Sequence, residues 1–190
     1  LAYILILLNS LYGLIITPYL IFNLGTVDYG IYKTIASLTG VLMILDFGLG
    51  STALRYVSEF HSKKNYSGLS KYFKVALIQL FIVVIVIGFF MFFMYFSIDN
   101  IYKNTMSLSN IILAKKIFSL MALSVIINVI DNLFVGIISG YNRFIFINSI
   151  RITKLVLRIT CIFIFIPFNK SPITLVLIDV VLSIFFLLIN

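Results

Sequence analysis

Acidic residues are scarce in this chain: six Asp and Glu stand against fourteen Lys and Arg, beside one His, one Cys, three Pro and no Trp. The single cysteine, Cys161, excludes an internal disulfide and any cysteine-based metal cluster, and says nothing of redox compartment. No HExxH, no phosphate-cradling loop of the Walker type, no GxSxG and no grouping of His with carboxylates at metal spacing is present. The sequence thus offers no cofactor site, no catalytic apparatus and nothing to hydrolyse ATP, and an enzyme is not expected. Work on a substrate must draw on a gradient or on the substrate's own free-energy difference. The one histidine, His61, lies among basic residues and is expected to be solvated. Charged residues of all kinds make up only 11% of the chain, where a soluble domain carries about 25%.

What fills the space is apolar: 62% of residues are hydrophobic and the mean hydropathy is +1.19. At about 20 apolar residues per crossing of a core about 30 Å thick, six segments read as membrane spans. They cover residues 1–22, 31–54, 73–96, 117–139, 146–168 and 173–190, the last cut short. Turn-forming stretches separate them at Asn23–Gly30, His61–Ser70, Ser97–Asn110, Gly140–Asn142 and Asn169–Pro172. No soluble domain fits in connections of this length. The expected fold is an all-α membrane protein, a bundle of six transmembrane helices. Its lack of an initial Met and its end within an apolar run read as a chain incomplete at both ends. The first segment is too long for a signal-peptide core, and Pro18-Tyr19-Leu20 is not a small-residue cleavage site.

The net charge of +8 raises the question of nucleic acid, but the cations gather at span ends rather than on a soluble face. They read as topology signals and contacts to anionic lipid, so membrane lipid is an expected partner and nucleic acid is not. Nine cations flank the loops after the second and fourth spans: Arg55, Lys63, Lys64, Lys71, Lys74, Arg143, Arg151, Lys154 and Arg158. Five lie on the other side: Lys33, Lys103, Lys115, Lys116 and Lys170. The bias places the even-numbered loops, and the N-terminus, in the cytoplasm.

Four charges sit inside spans: Asp46, Asp131, Arg158 and Asp179. A charge near the bilayer centre costs about 2.5–3.5 kcal/mol by the mildest scales, so each needs a partner or a task. Arg151, Lys154 and Arg158, at i, i+3 and i+7, share one helical face and form a basic stripe about 10 Å long. Arg151 and Lys154 can snorkel to headgroups. Arg158, midway along its span, has two readings: an ion pair with one of the three aspartates, or a cation facing a wet cavity. Its planar fork suits a phosphate. Asp131 shares a stripe with Ser124 and Asn128, beside Asn132, which fits a cavity wall or an interhelical hydrogen-bond seam. Asp46, in Leu45-Asp46-Phe47-Gly48-Leu49-Gly50, is open to pairing with a base, binding a coupling proton or cation, or capping a broken helix. Asp179 stands alone among apolar residues, which leaves open a partner in chain beyond this sequence.

The order Pro18-Tyr19-Leu20, Leu24-Gly25, Asp28-Tyr29-Gly30-Ile31-Tyr32, Leu45-Asp46-Phe47-Gly48-Leu49-Gly50 and Arg55-Tyr56-Val57-Ser58-Glu59 resembles the N-terminal signature of bacterial polysaccharide exporters. These are the O-antigen and capsule flippases of the multidrug/oligosaccharidyl-lipid/polysaccharide superfamily. Gly140-Tyr141-Asn142-Arg143, with Asn148, is similar to the family's pattern after the fourth span. The resemblance implies that this chain is the N-terminal lobe of a transporter of about twelve to fourteen helices in two related halves. It implies alternating-access export of a polyprenyl-pyrophosphate-linked oligosaccharide across the bacterial cytoplasmic membrane, in company with glycan-assembly proteins. Arg158, Lys154 and Arg151 would then meet the pyrophosphate and glycan, with Asp46, Asn128, Asp131 and Asp179 in the cavity or its coupling. The first helix departs from charged relatives, holding only Asn9, Ser10, Tyr12 and Thr17 as polar residues. Two other readings stay open: a multidrug exporter of the same superfamily, whose lumen would be dominated by the aspartates, and a membrane enzyme of glycan assembly. The latter calls for a large arginine-bearing external loop, which the short connections do not supply.

Overall fold

A computed structural model describes residues 2–190, all of the chain but Leu1 of the expected first span. Seven α-helices follow one another: α1 (Ala2–Leu24), α2 (Thr26–Leu42), α3 (Leu49–Ser62), α4 (Tyr66–Tyr102), α5 (Leu108–Gly140), α6 (Phe144–Phe165) and α7 (Pro172–Ile189). Five stretches are long and apolar enough to cross a membrane: α1, α2 with α3, α4, α5 and α7. The sixth, α6, has a spanning length of about 33 Å at 1.5 Å per residue, but Arg151, Lys154 and Arg158 interrupt its apolar run. The chain is a multi-pass helical bundle.

The expected second span, 31–54, is not one continuous helix. A 3₁₀ turn at Met43–Asp46 ends α2, and Phe47 (φ 50°) and Gly48 (φ 69°) both adopt left-handed backbone before α3 begins. The side chain of Asp46 stabilises the reversal, since its Oδ1 accepts the Gly48 N–H at 2.8 Å. This is an Asx turn, which competes with helix by satisfying backbone from a short side chain.

The connections are shorter than apolar runs alone suggest. Between α3 and α4 only Lys63–Asn65 leave the helices, with Lys64 left-handed and Asn65 capping α4 through the Gly68 N–H. Between α4 and α5 only residues 103–107 do so, and Ser107 caps α5. Polar residues there continue helix: Asp99 on α4 ion-pairs with Lys115 on α5, which extends the hairpin past the apolar core. At 37 and 33 residues, α4 and α5 run about 55 and 50 Å, well beyond a 30 Å hydrocarbon layer.

Helix α5 is the axis of the bundle and packs against α2, α3, α4, α6 and α7. Its tightest partner is α3, and small residues make the approach possible. A Cβ on Gly136 would stand 2.2 Å from the Gly50 carbonyl oxygen, and one on Gly140 would stand 2.6 Å from Val57 Cβ. Gly136 and Gly140 form a GxxxG pair, the pattern that lets two backbones touch in a membrane. Among the described residues three apolar cores divide the interior. One joins α2, α4, α5 and α7 around Ile35, Ile87, Ile117 and Phe118; a second joins α1, α6 and α7 around Leu20, Ile162, Ile166 and Leu175; a smaller third joins α3, α4 and α5 around Val57, Leu69 and Leu133. Polar side chains gather where the first two meet.

Candidate functional site

Two adjoining cavities open between the helix groups, of about 460 and 360 Å³. The larger is bounded by α1, α2, α5, α6 and α7, and the smaller by the α2–α3 break, α5, α6 and the end of α7. Met43, Asn128, Arg151 and Lys154 line both, so these residues form the shared wall of one cleft. All seven residues singled out by sequence face it. Arg158 and Asp179 line the larger cavity, Asp46 and Asp131 the smaller, and Asn128, Arg151 and Lys154 belong to both.

The helical register explains the convergence. Positions 151, 154 and 158 fall on the inward face of α6, and 179 and 183 on the face of α7 opposite them. Arg158 Nη2 donates to Asp179 Oδ2 at 2.7 Å, while Nε stands 2.7 Å from Oδ1 in an ion-pair contact whose N–H points away. Asp179 therefore has its partner within this chain. Arg158 is correspondingly not a free cation. The pair retains 29% and 27% side-chain exposure, so it edges the cavity rather than lying in dry packing. The Tyr12 ring of α1 lies 5.2 Å from the guanidinium carbon, a cation–π contact that ties a third helix to the pair.

The other charges have different company. Asp46 Oδ2 accepts the Asn132 side-chain N–H at 2.6 Å, so both its oxygens are engaged and its observed task is to cap the break. Asp131 Oδ1 accepts from Asn190 at 2.7 Å, a seam between α5 and the end of α7. Among the described residues Lys154 meets the Ser183 hydroxyl at 3.4 Å, Arg151 is exposed, and neither makes an ion pair. The cleft thus holds three cations and three carboxylates, but its two available cations are Lys154 and Arg151. The Ser124 hydroxyl, buried at the wall of the larger cavity, has no hydrogen-bond partner among the described residues.

Sequence reasoning passed over Tyr32 and Ser183, both cavity-lining. Ser183 was detectable, being four residues from Asp179 on an otherwise apolar helix. Tyr32 carried no such signal. The Gly136/Gly140 pair was readable as GxxxG in an apolar segment. Among the described residues no group of His, Cys, Asp and Glu could hold a metal ion.

Crossing helices around a polar, charge-balanced cleft define a multi-pass membrane protein with a polar interior. The sequence model of the polysaccharide biosynthesis protein family matches residues 2–189, and the chain belongs to that family. The match runs the length of the fold, far past the residues 18–60 in which the resemblance is concentrated. No curated protein and no solved structure matches the chain.

Proposed function

We propose that this chain is the N-terminal lobe of an exporter that moves a polyprenyl-pyrophosphate-linked oligosaccharide from the inner to the outer leaflet of the bacterial cytoplasmic membrane. Membership of a polysaccharide biosynthesis family supports the substrate class. The observation that carries the mechanism is Lys154, a half-buried cation without a carboxylate partner among the described residues, on the wall shared by both cavities. A diphosphate brought to that wall finds Lys154 and Arg151 available, with Arg158 one turn deeper. The glycan meets the hydroxyl of Ser124 and the amide of Asn128, and the polyprenyl chain stays in the bilayer. The protein acts by binding and alternating access, not by making or breaking bonds, with its N-terminus on the cytoplasmic side and a second lobe completing the cavity. A cationic-drug exporter calls for a lumen in which carboxylates dominate, and here the three carboxylates are all engaged.

The test is complementation of a strain that lacks the exporter. Lys154→Ala is expected to abolish surface glycan at normal membrane abundance, and Lys154→Arg to retain much of it. Undiminished export by Lys154→Ala would overturn the reading.

A further inference from the structure

On the outer side of the α3–α4 pair, away from the cleft, lies a separate groove of about 310 Å³. Thr52, Tyr56 and Phe60 of α3 and Lys71, Val75 and Gln79 of α4 line it. The two helices run antiparallel, and their contacts form rungs. Phe60 crosses at Gly68, where a Cβ would stand 2.8 Å from the ring, and Tyr56 stacks on Tyr72 with centroids 5.3 Å apart. Lys71 stands at the hairpin end. Eight residues further along α4, about 12 Å, Gln79 lies at the inner end with Thr52. The groove therefore has a cationic rim, an aromatic and aliphatic body, and a small polar floor.

We propose that this groove seats one anionic diacyl phospholipid, its phosphate on Lys71 and its glycerol and upper acyl region against Tyr56, Tyr72 and Val75. Charge complementarity favours that occupant. Arg55, Lys63, Lys64, Lys71 and Lys74 all belong to the α3–α4 hairpin that carries the groove, and Glu59 of the same hairpin is already ion-paired to Lys63. Lys71 is exposed and makes no ion pair among the described residues. Free phosphate would use Lys71 but leave the aromatic wall uncovered. An apolar helix from a partner would cover the wall and leave the cations uncompensated. A lipid with a phosphate head satisfies both, because headgroup charge and acyl surface are separated along the membrane normal as Lys71 and Val75 are along α4. Clusters of Lys and Arg beside a span draw anionic lipid in general; a shaped groove beneath one of them makes the contact site-specific. The site is independent of the transported substrate.

Native mass spectrometry of the intact protein in neutral detergent, titrated with dioleoylphosphatidylglycerol or dioleoylphosphatidylcholine, tests this. The anionic lipid is expected to bind about tenfold tighter than the zwitterionic one. Lys71→Gln should weaken it about fivefold, the worth of one cation at a membrane surface. Val75→Trp, which fills the groove at an exposed position without changing charge, should weaken it at least as much. Lys64→Gln, outside the groove, should change it less than twofold. Equal binding of the two lipids would overturn the proposal, as would Lys64→Gln matching Lys71→Gln, which denotes a diffuse patch. Displacement by inorganic phosphate alone would make the site a simple anion site. Displacement by a single-span apolar peptide would assign the groove to a partner helix.

Discussion

Lys154 and Arg158 are one helical turn apart and face opposite electrostatic situations. Arg158 is held by Asp179 and covered by Tyr12, so removing it strands a carboxylate in a low-dielectric wall. Arg158→Ala is expected to lower stability by about 3 kcal/mol, the low end for breaking a buried pair, because the pair retains some water. Arg158→Ala with Asp179→Ala should regain most of that loss in a thermal unfolding measurement in detergent. If the double variant is no better than the single, the pair is not what Arg158 contributes. Lys154 has no such anchor, so its variants should leave the unfolding temperature within a degree or two. Comparison of the two separates a structural charge from an available one. At this scale the sequence was highly legible. A charge in an apolar run stands out by its cost, and every residue chosen for that reason faces the cleft. Pairing was not legible: three carboxylates lie on three different elements, the α2–α3 break, α5 and α7, and nothing in the order of residues says which of them reaches Arg158.

The elements show the converse. Apolar stretches located the helices but misjudged where helix stops, because hydropathy reports the thickness of the bilayer and not the hydrogen bonds of the backbone. Helices α4 and α5 continue through Asp99, Asn100 and Asn110, where charge and capping sustain them. The α2–α3 break arises from Asp46 with Gly48, in a stretch where the sequence left Asp46 open to pairing, ion binding or capping a broken helix. Asp46→Ala removes both the Asx turn and the Asn132 contact. A loss of about 1–2 kcal/mol is expected, with increased amide exchange at residues 43–50. Gly136→Ala tests the other half of that junction. A methyl group 2.2 Å from the Gly50 carbonyl must push α3 from α5, and overpacking of this kind costs about 3 kcal/mol. An unchanged unfolding temperature would mean the two helices are not in backbone contact.

For the whole molecule, the arrangement of cations predicts its orientation. In a Cys161→Ala background, a cysteine at Lys64 should react with an impermeant maleimide only after the membrane is opened, and one at Thr105 should react in intact cells. The reverse pattern would invert the topology and place the cation-ringed α3–α4 hairpin outside. Composition by itself determined that the chain crosses a membrane, since so much apolar surface and so few charges have one stable setting, and the positions of charges within apolar runs marked a polar interior. Local sequence also decided the helix caps, the left-handed reversals and the faces on which charges lie. Only the tertiary structure decided that the six charges meet in one cleft, that Asp179 neutralises Arg158, and that Lys154 is left available. Those outcomes depend on the rotation and depth of one helix against another. Both are set by packing between residues far apart in the chain, such as Gly50 on Gly136, and leave no mark on the spacing within any single helix.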